Sequence, residues 1–464
     1  MANYDLTAFR GLTFHDAVPA FFDGNDTPRD YLERCLEVIN VREPVVKAFA
    51  NLNEDNARKA ADASTKRYKD GRILSTIDGL PISIKDLLET KDMPTQMGCE
   101  AYIGNFPKND NAAVWALRQA GAVVFGKTVT AELGGTHPGS TTNPFDPERT
   151  PGGSSSGSAA AVAAGMVPAA IGTQVGGSII RPAAFCGNVA LKPTQGAINR
   201  GERQATSMST HGVHANCIED MWQSAIEIAK RAGGDRGYQG LYGPDEPPAP
   251  VKPERLIVLE SAGWAELDQS SRSAFEGLLE NLQQADVTLL RRSDHVLVEA
   301  LEQKIAEAGE ICGAITRWEN RWAQQNLIAI KGEFVSDRFK ANLKLAQEMS
   351  HDDYRLALIA RDVAQNCHNT VAHLANAAIT LSCPGPAPIW AGDIQGLPLA
   401  DRPTGDAIFN YPSSMLFAPC VTMPLMSVGG LPVGAQLMGQ QHQDAEITAI
   451  SRWILNNISP VVSA

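Results

Sequence analysis

Apolar side chains recur at roughly helical spacing from Thr27 to Lys69. Leu32, Cys35, Leu36 and Ile39 form one group, and Val45, Val46, Phe49 and Ala50 the next. Asn and Asp punctuate the groups, as expected where one helix stops and another starts. The spacing predicts a helical N-terminal lead-in over residues 1–70. The pattern then shortens. Gly79-Leu80-Pro81-Ile82-Ser83-Ile84-Lys85-Asp86 is a β-branched run opened by Gly and Pro and closed by Lys-Asp, which predicts a strand with Lys85 at its end. Ala112 to Ala120 is helical in pattern and stops at Gly121, and Ala122 to Gly126 reads as a buried strand. This alternation predicts an α/β protein with a parallel or mixed sheet.

Tyr242 to Lys252 is Pro-rich and polar and reads as a linker, with a new strand at Arg255 to Leu259 and a boundary near 250. Residues 270–376 read as mostly helical. A short strand is predicted at Ala377 to Leu381, followed by a Pro-rich run from Pro384 to Pro388. A strand–loop–strand unit is predicted over Leu416 to Leu437, around Gly429-Gly430-Leu431-Pro432, and a closing helix over Asp444 to Asn457. No internal repeat interrupts this order.

Composition narrows the function. With 464 residues the chain is long enough for a large core, and 40 basic against 52 acidic side chains give a net charge of −12. That balance disfavours nucleic acid or an anionic membrane surface as the main partner. Eight cysteines lie far apart without a CxxC pair, which fits a reduced, cytoplasmic chain better than a disulfide scaffold or a zinc ribbon. Met1 to Phe22 mixes Asp5, Arg10, His15 and Asp16 into its apolar residues and lacks a signal-peptide pattern. The longest weakly polar run, Ala159 to Gly172, carries Pro168 and falls short of the ~20 residues a membrane span needs.

Candidate chemistry concentrates in residues 151–196, where Gly, Ser and Ala dominate. Ser178 closes Gly172-Thr173-Gln174-Val175-Gly176-Gly177-Ser178. Its two preceding glycines let successive backbone N–H groups of Val175, Gly176, Gly177 and Ser178 point into one small space beside a hydroxyl: a nucleophile next to an oxyanion hole. None of the nine His residues sits in a Ser-His-Asp context such as GxSxG, so a lysine has to be considered as the base. A lysine serves only when burial, without a paired carboxylate, favours its neutral form. His211, His214 and Cys217 form HxxHxxC, which on one helix face or turn could hold a metal; a pocket-lining or structural role is the simpler reading. His368 and His373, five apart on a predicted helix, read as solvated.

GLPISIKD at 79–86, PGGSSSGSAAAVAAG at 151–165 and GTQVGGSIIRPAAFCGNVALKPTQG at 172–196 resemble the amidase signature family, with weaker agreement at 121–128, near 384 and at 430–439. The resemblance implies a large mixed sheet surrounded by helices, with residues 71–245 as the catalytic core and 250–464 completing the sheet and lining the substrate pocket. It also implies a triad. Ser178 matches the nucleophile, Ser154, in a cis peptide 24 residues earlier, the bridging serine, and Lys85 the base. Ser155 and Ser156 read as helix caps or donors to that network. The resemblance implies neither metal nor cofactor.

Two departures bear on substrate. Gln174 stands where the family commonly has Asp. Ile180 stands where it commonly has Arg, with Arg181 one place later. Malonamidase-like members resemble this arrangement, which implies a substrate carrying a carboxylate or another compact acceptor. Met97 and Cys99, the latter in place of a serine common in the family, would make one pocket wall softer and more apolar. The reading is a serine amidohydrolase acting on a small-molecule amide, with a homodimer left open. Its rivals are a carbamate or ester hydrolase on the same triad, a glutamine-hydrolysing amidotransferase component, and a binding protein without activity. All three triad positions are filled, which argues against the last.

Overall fold

The computed structural model describes Tyr4 and residues 12–202, 206–393 and 397–463. Apart from Tyr4, the stretch Met1 to Gly11 read above for a signal pattern lies outside them. Twelve strands form one mixed sheet: β1 (Phe49–Leu52), β2 (Pro81–Lys85), β3 (Val123–Thr128), β4 (Ala169–Gln174), β5 (Val189–Lys192), β6 (Thr210–Ala215), β7 (Arg255–Val258), β8 (Thr288–Leu290), β9 (Ala377–Leu381), β10 (Cys420–Val428), β11 (Leu431–Met438) and β12 (Val461–Ser463). The order across the sheet is β1-β3-β2-β4-β6-β5-β10-β11-β9-β7-β8, with β12 added to β10. Helices cover the sheet, so an α/β protein with a large mixed sheet surrounded by helices is what the chain forms. β2, β3 and β4 are buried along their whole length, which explains why they read as near-continuous apolar or small-residue runs instead of alternating ones.

The sheet is continuous across the Pro-rich linker, because β5 pairs antiparallel with β10 (Lys192 opposite Cys420). Two sequence expectations need correction, and a third, that residues 270–376 are mostly helical, holds with one addition. Residues 27–69 are not wholly helical: β1 separates the helices Pro28–Val46 and Glu54–Lys69 and pairs with β3, so Phe49 and Ala50 belong to a strand. The stretch 270–376 is mostly helical as expected, with the short β8 added to the far sheet edge beside β7. HxxHxxC lies on neither a helix face nor a turn, because Thr210–Ala215 is a strand flanked by β4 and β5. Among the described residues no helix is long and apolar enough to cross a membrane.

Candidate active site

Lys85 ends β2, inside the sheet between β3 and β4, and its side chain is fully buried. Its Nζ lies 2.8 Å from Ser154 Oγ, 2.9 Å from Ser155 Oγ, 2.8 Å from Thr173 Oγ1 and 3.4 Å from the Thr173 carbonyl. Every one of these partners is a hydroxyl or a carbonyl. With no carboxylate to hold the proton, burial alone keeps the amine well below the usual lysine range. Ser154 and Ser155 lead into the small-residue helix Ser156–Ala163, and the Gly153–Ser154 peptide is cis. Ser155 and Ser156 do not cap that helix. Ser155 Oγ is occupied by Lys85 and by the Thr173 backbone, and Ser156 Oγ donates to the Val129 carbonyl.

Ser178 stands half-buried between the end of β4 and the helix Ile180–Cys186. Among the described residues no protein acceptor takes the backbone N–H groups of Val175, Gly176, Gly177 or Ser178. The turn is held from both sides. Gln174 Oε1 accepts from the N–H of Ile179 (2.9 Å) and Ile180 (3.1 Å), while its Nε2 donates to Ser414 Oγ, which itself donates to the Gly176 carbonyl. Gln174 therefore clamps the turn and satisfies the first N–H groups of the helix after it. A side chain at 177 has no room: a Cβ there would lie 2.5 Å from Asn410 Oδ1 and 2.9 Å from Ala407 Cβ.

Arg181 links the two serine segments. Its Nη2 donates to the Gly153 carbonyl at 2.6 Å and to Thr404 Oγ1 at 3.0 Å, while Nε is buried without a partner and Nη1 has no protein acceptor among the described residues. One end of the guanidinium thus holds the peptide carrying Ser154, and the other end is uncommitted. Met97 is buried in a left-handed turn (φ 57°), its N–H donating to the Asp86 carbonyl and carboxylate and its carbonyl accepting from Leu133. Cys99 packs with Ala101 and Val335 against Leu133, Leu327, Ile328 and Phe339, and burial pushes its thiol up to about 11. This wall is pinned to the C-terminal helices, since Glu132 accepts from Ser336 N and Oγ and Lys331 Nζ donates to the Ala101 carbonyl.

His211 and His214, three apart on a strand, point to opposite faces, and Cys217 Sγ accepts from Asp220 N at the start of the helix Ile218–Ala232. Among the described residues no three His, Cys, Asp or Glu side chains gather as a metal site. His368 is buried on the inner face of its helix, which pushes it down to about 4, so the expected solvated role fails there; His373 is exposed. Sequence reasoning passes over Thr173 as a Lys85 partner, although it sits inside the Gly172-Thr173-Gln174 motif. Ser414, which braces the turn, and Thr404, which holds Arg181, lie more than two hundred residues from these partners, with no local signal to mark them.

A family model described as Amidase matches residues 30–448 of the chain. The chain belongs to the amidase signature family. Curated relatives include a Glutamyl-tRNA(Gln) amidotransferase subunit of Chloroflexus aggregans, 30% identical over 476 residues covering 96% of each chain. The same-named protein of Chloroflexus aurantiacus is 45% identical over 201 residues, a match spanning 42% of this chain and 41% of that relative. Among solved structures, one described as "Crystal structure of amidase" superposes with a TM-score of 0.83 at 27% identity, covering 97% of this chain and 100% of the other.

Proposed function

We propose that this amidase signature protein is a serine amidohydrolase cleaving the C–N bond of a small-molecule amide. Ser178 Oγ attacks the carbonyl carbon as its proton passes through Ser154 to neutral Lys85, and the N–H groups of Val175 to Ser178 hold the oxyanion. The tetrahedral intermediate collapses as Lys85, through Ser154, returns the proton to the leaving nitrogen, giving a free amine and an acyl group on Ser178. Water then attacks the acyl-enzyme by the same relay, releasing the acid and restoring the serine. The observation carrying this reading is a fully buried lysine bonded to Ser154 Oγ and to no carboxylate.

Arg181 has two tasks in this reading. Nη2 fixes the Gly153 carbonyl, and the uncommitted Nη1 donates to a compact acceptor on the substrate, a carboxylate in the first instance. Cys99 and Met97 belong to the wall that meets the rest of the molecule. The test is turnover by purified protein across small carboxylated amides, aryl amides, carbamates, esters and glutamine, with mass spectrometry for a single fluorophosphonate adduct. An adduct of undiminished yield on Ser178→Ala would remove Ser178 from the chemistry. Similarity along 96% of an amidotransferase component favours glutamine hydrolysis for a partner as the second reading. Turnover of non-glutamine amides by the lone chain counts against it.

A further inference from the structure

Glycine has the freest backbone of any residue, and the turn that carries Ser178 sets two of them side by side, Gly176 and Gly177. Neither has room for a side chain: a Cβ on Gly176 would lie 2.7 Å from Tyr411 Cε1, and one on Gly177 2.5 Å from Asn410 Oδ1. The peptide joining them therefore has no side chain of its own to stop it rotating. Its N–H, that of Gly177, must nevertheless face one way to serve in the oxyanion hole. Something outside the turn has to set that direction.

The directions of the surrounding hydrogen bonds show what does. The N–H groups of Ile179 and Ile180 can only donate, so the Gln174 atom that takes both is the oxygen, and Nε2 is left facing Ser414 Oγ at 3.1 Å. Nε2 can only donate as well. Ser414 Oγ therefore accepts from it and has its single proton free for the Gly176 carbonyl, 2.7 Å away. Among the described residues that carbonyl has no other donor. The Gly176–Gly177 peptide is trans, and in a trans peptide the C=O and N–H bonds point in opposite directions. Holding the Gly176 oxygen towards the helix Tyr411–Met415, which carries Ser414, turns the Gly177 N–H away from that helix.

We propose that Ser414 and Gln174 are positioning residues for the oxyanion hole: their one-way chain, from Gln174 Nε2–H to Ser414 Oγ–H to the Gly176 oxygen, aims the Gly177 N–H at the substrate oxygen. The proposal rests on the serine reading above, in which the oxyanion forms at this turn. Gln174 and Ser414 are both buried, which keeps the chain out of competition with bulk water. The donor is thus fixed before substrate arrives and needs no reorganisation as charge develops. An amide at 174 is required for this, since a carboxylate would still accept from Ile179 and Ile180 but could only accept again from Ser414. The Ser414 proton would then turn to the carboxylate and leave the Gly176 carbonyl, so the chain would reverse and release the peptide.

The experiment measures kcat and KM per titrated active site on an amide that the wild type turns over, together with the rate of fluorophosphonate inactivation. The variants are Ser414→Ala, Ser414→Thr, Gln174→Glu and the Ser414→Ala/Gln174→Glu pair. Ser414→Ala is expected to lower kcat and the inactivation rate by about tenfold to a hundredfold with KM nearly unchanged, because the aimed N–H counts only once charge develops on the oxygen. Ser414→Thr keeps the hydroxyl and should keep most of the rate. The Gln174→Glu loss should shrink on the Ser414→Ala background, since the bond it diverts is already gone, whereas a direct effect of the added charge would persist there. A wild-type kcat in Ser414→Ala, a loss confined to KM, or fully additive losses in the pair would overturn the proposal. If Ser414→Ala does not fold, Ser414→Cys, a weak donor, takes its place with the same criteria. A wild type that takes no fluorophosphonate on Ser178 would instead sink the serine reading itself, which separates the two failures.

Discussion

Two lysines on neighbouring strands are buried to the same extent and held in opposite ways. Lys85, at the end of β2, meets only hydroxyls and a carbonyl. Lys127, on β3, faces the Asp86 carboxylate at 3.0 Å, with Thr95 Oγ1 and the Pro94 carbonyl completing its shell. Burial disfavours the charge of both amines, but only Lys127 has an anion drawing its proton back. What separates a base from a structural ion pair is thus the partner, not the burial. The adjacent residues Lys85 and Asp86 sit on opposite sides of that difference: Lys85 is the last residue of β2 and bonds to Ser154, Ser155 and Thr173, whereas Asp86, the first residue after the strand, turns to Lys127.

The sharpest break of this comparison is in activity. Lys85→Met should lower kcat/KM by about 10⁴-fold or more with the fold kept, whereas Lys127→Met should leave the turnover of correctly folded molecules close to wild type. Active-site titration alongside steady-state rates reads both. Stability should reverse the order. Removing Lys127 strands a buried carboxylate and should cost about 3–5 kcal/mol in denaturant unfolding, while removing Lys85 strands no charge. Equal losses in the two variants would erase the distinction drawn here.

The pH dependence of stability sharpens the comparison further. Lys85 has a folded-state pKa below its unfolded value, so between the two the unfolded chain binds more protons and stability rises with pH. Below the folded-state pKa the burial penalty is present in full. Lys85→Met should therefore gain more melting temperature over wild type at pH 6 than at pH 9, and a gain independent of pH would mean that the amine stays protonated throughout. The smallest effect concerns Arg181. Arg181→Lys should raise KM for a carboxylated amide several-fold more than for its neutral analogue, with a smaller, substrate-independent fall in kcat from the lost bond to Gly153. Equal losses on both substrates would leave Arg181 with its positioning role alone.

Much of this arrangement is readable because the chemistry sits in short local runs. Ile82-Ser83-Ile84 before Lys85 marks a strand end, and the Gly and Ser residues around Ser154 and Ser178 mark turns where backbone must approach a ligand. The strand at Ala377–Leu381 and the helix at Asp444–Asn457 are equally plain, each having a clear period and punctuation at its ends. What escapes depends on distant partners. β1 looks helical until β3 is there to pair with it, the Gln174 clamp depends on Ser414 from 240 positions away, and His214 looks like one member of a three-residue metal motif until β4 and β5 fix its face.

The antiparallel pairing of β5 with β10 also has a consequence for synthesis. Every residue of the proposed relay precedes β5, yet the strand that covers the β5 edge lies more than two hundred residues further on. At about 5–20 residues per second, a ribosome leaves that edge uncovered for on the order of ten to forty seconds, with the chemistry encoded and the sheet half built. An open edge is a template for another chain, so the nascent N-terminal half is where aggregation competes with folding. Stalled chains ending near residue 250 should accordingly bind chaperones more than chains ending after Met438, as measured by pull-down from a translation extract.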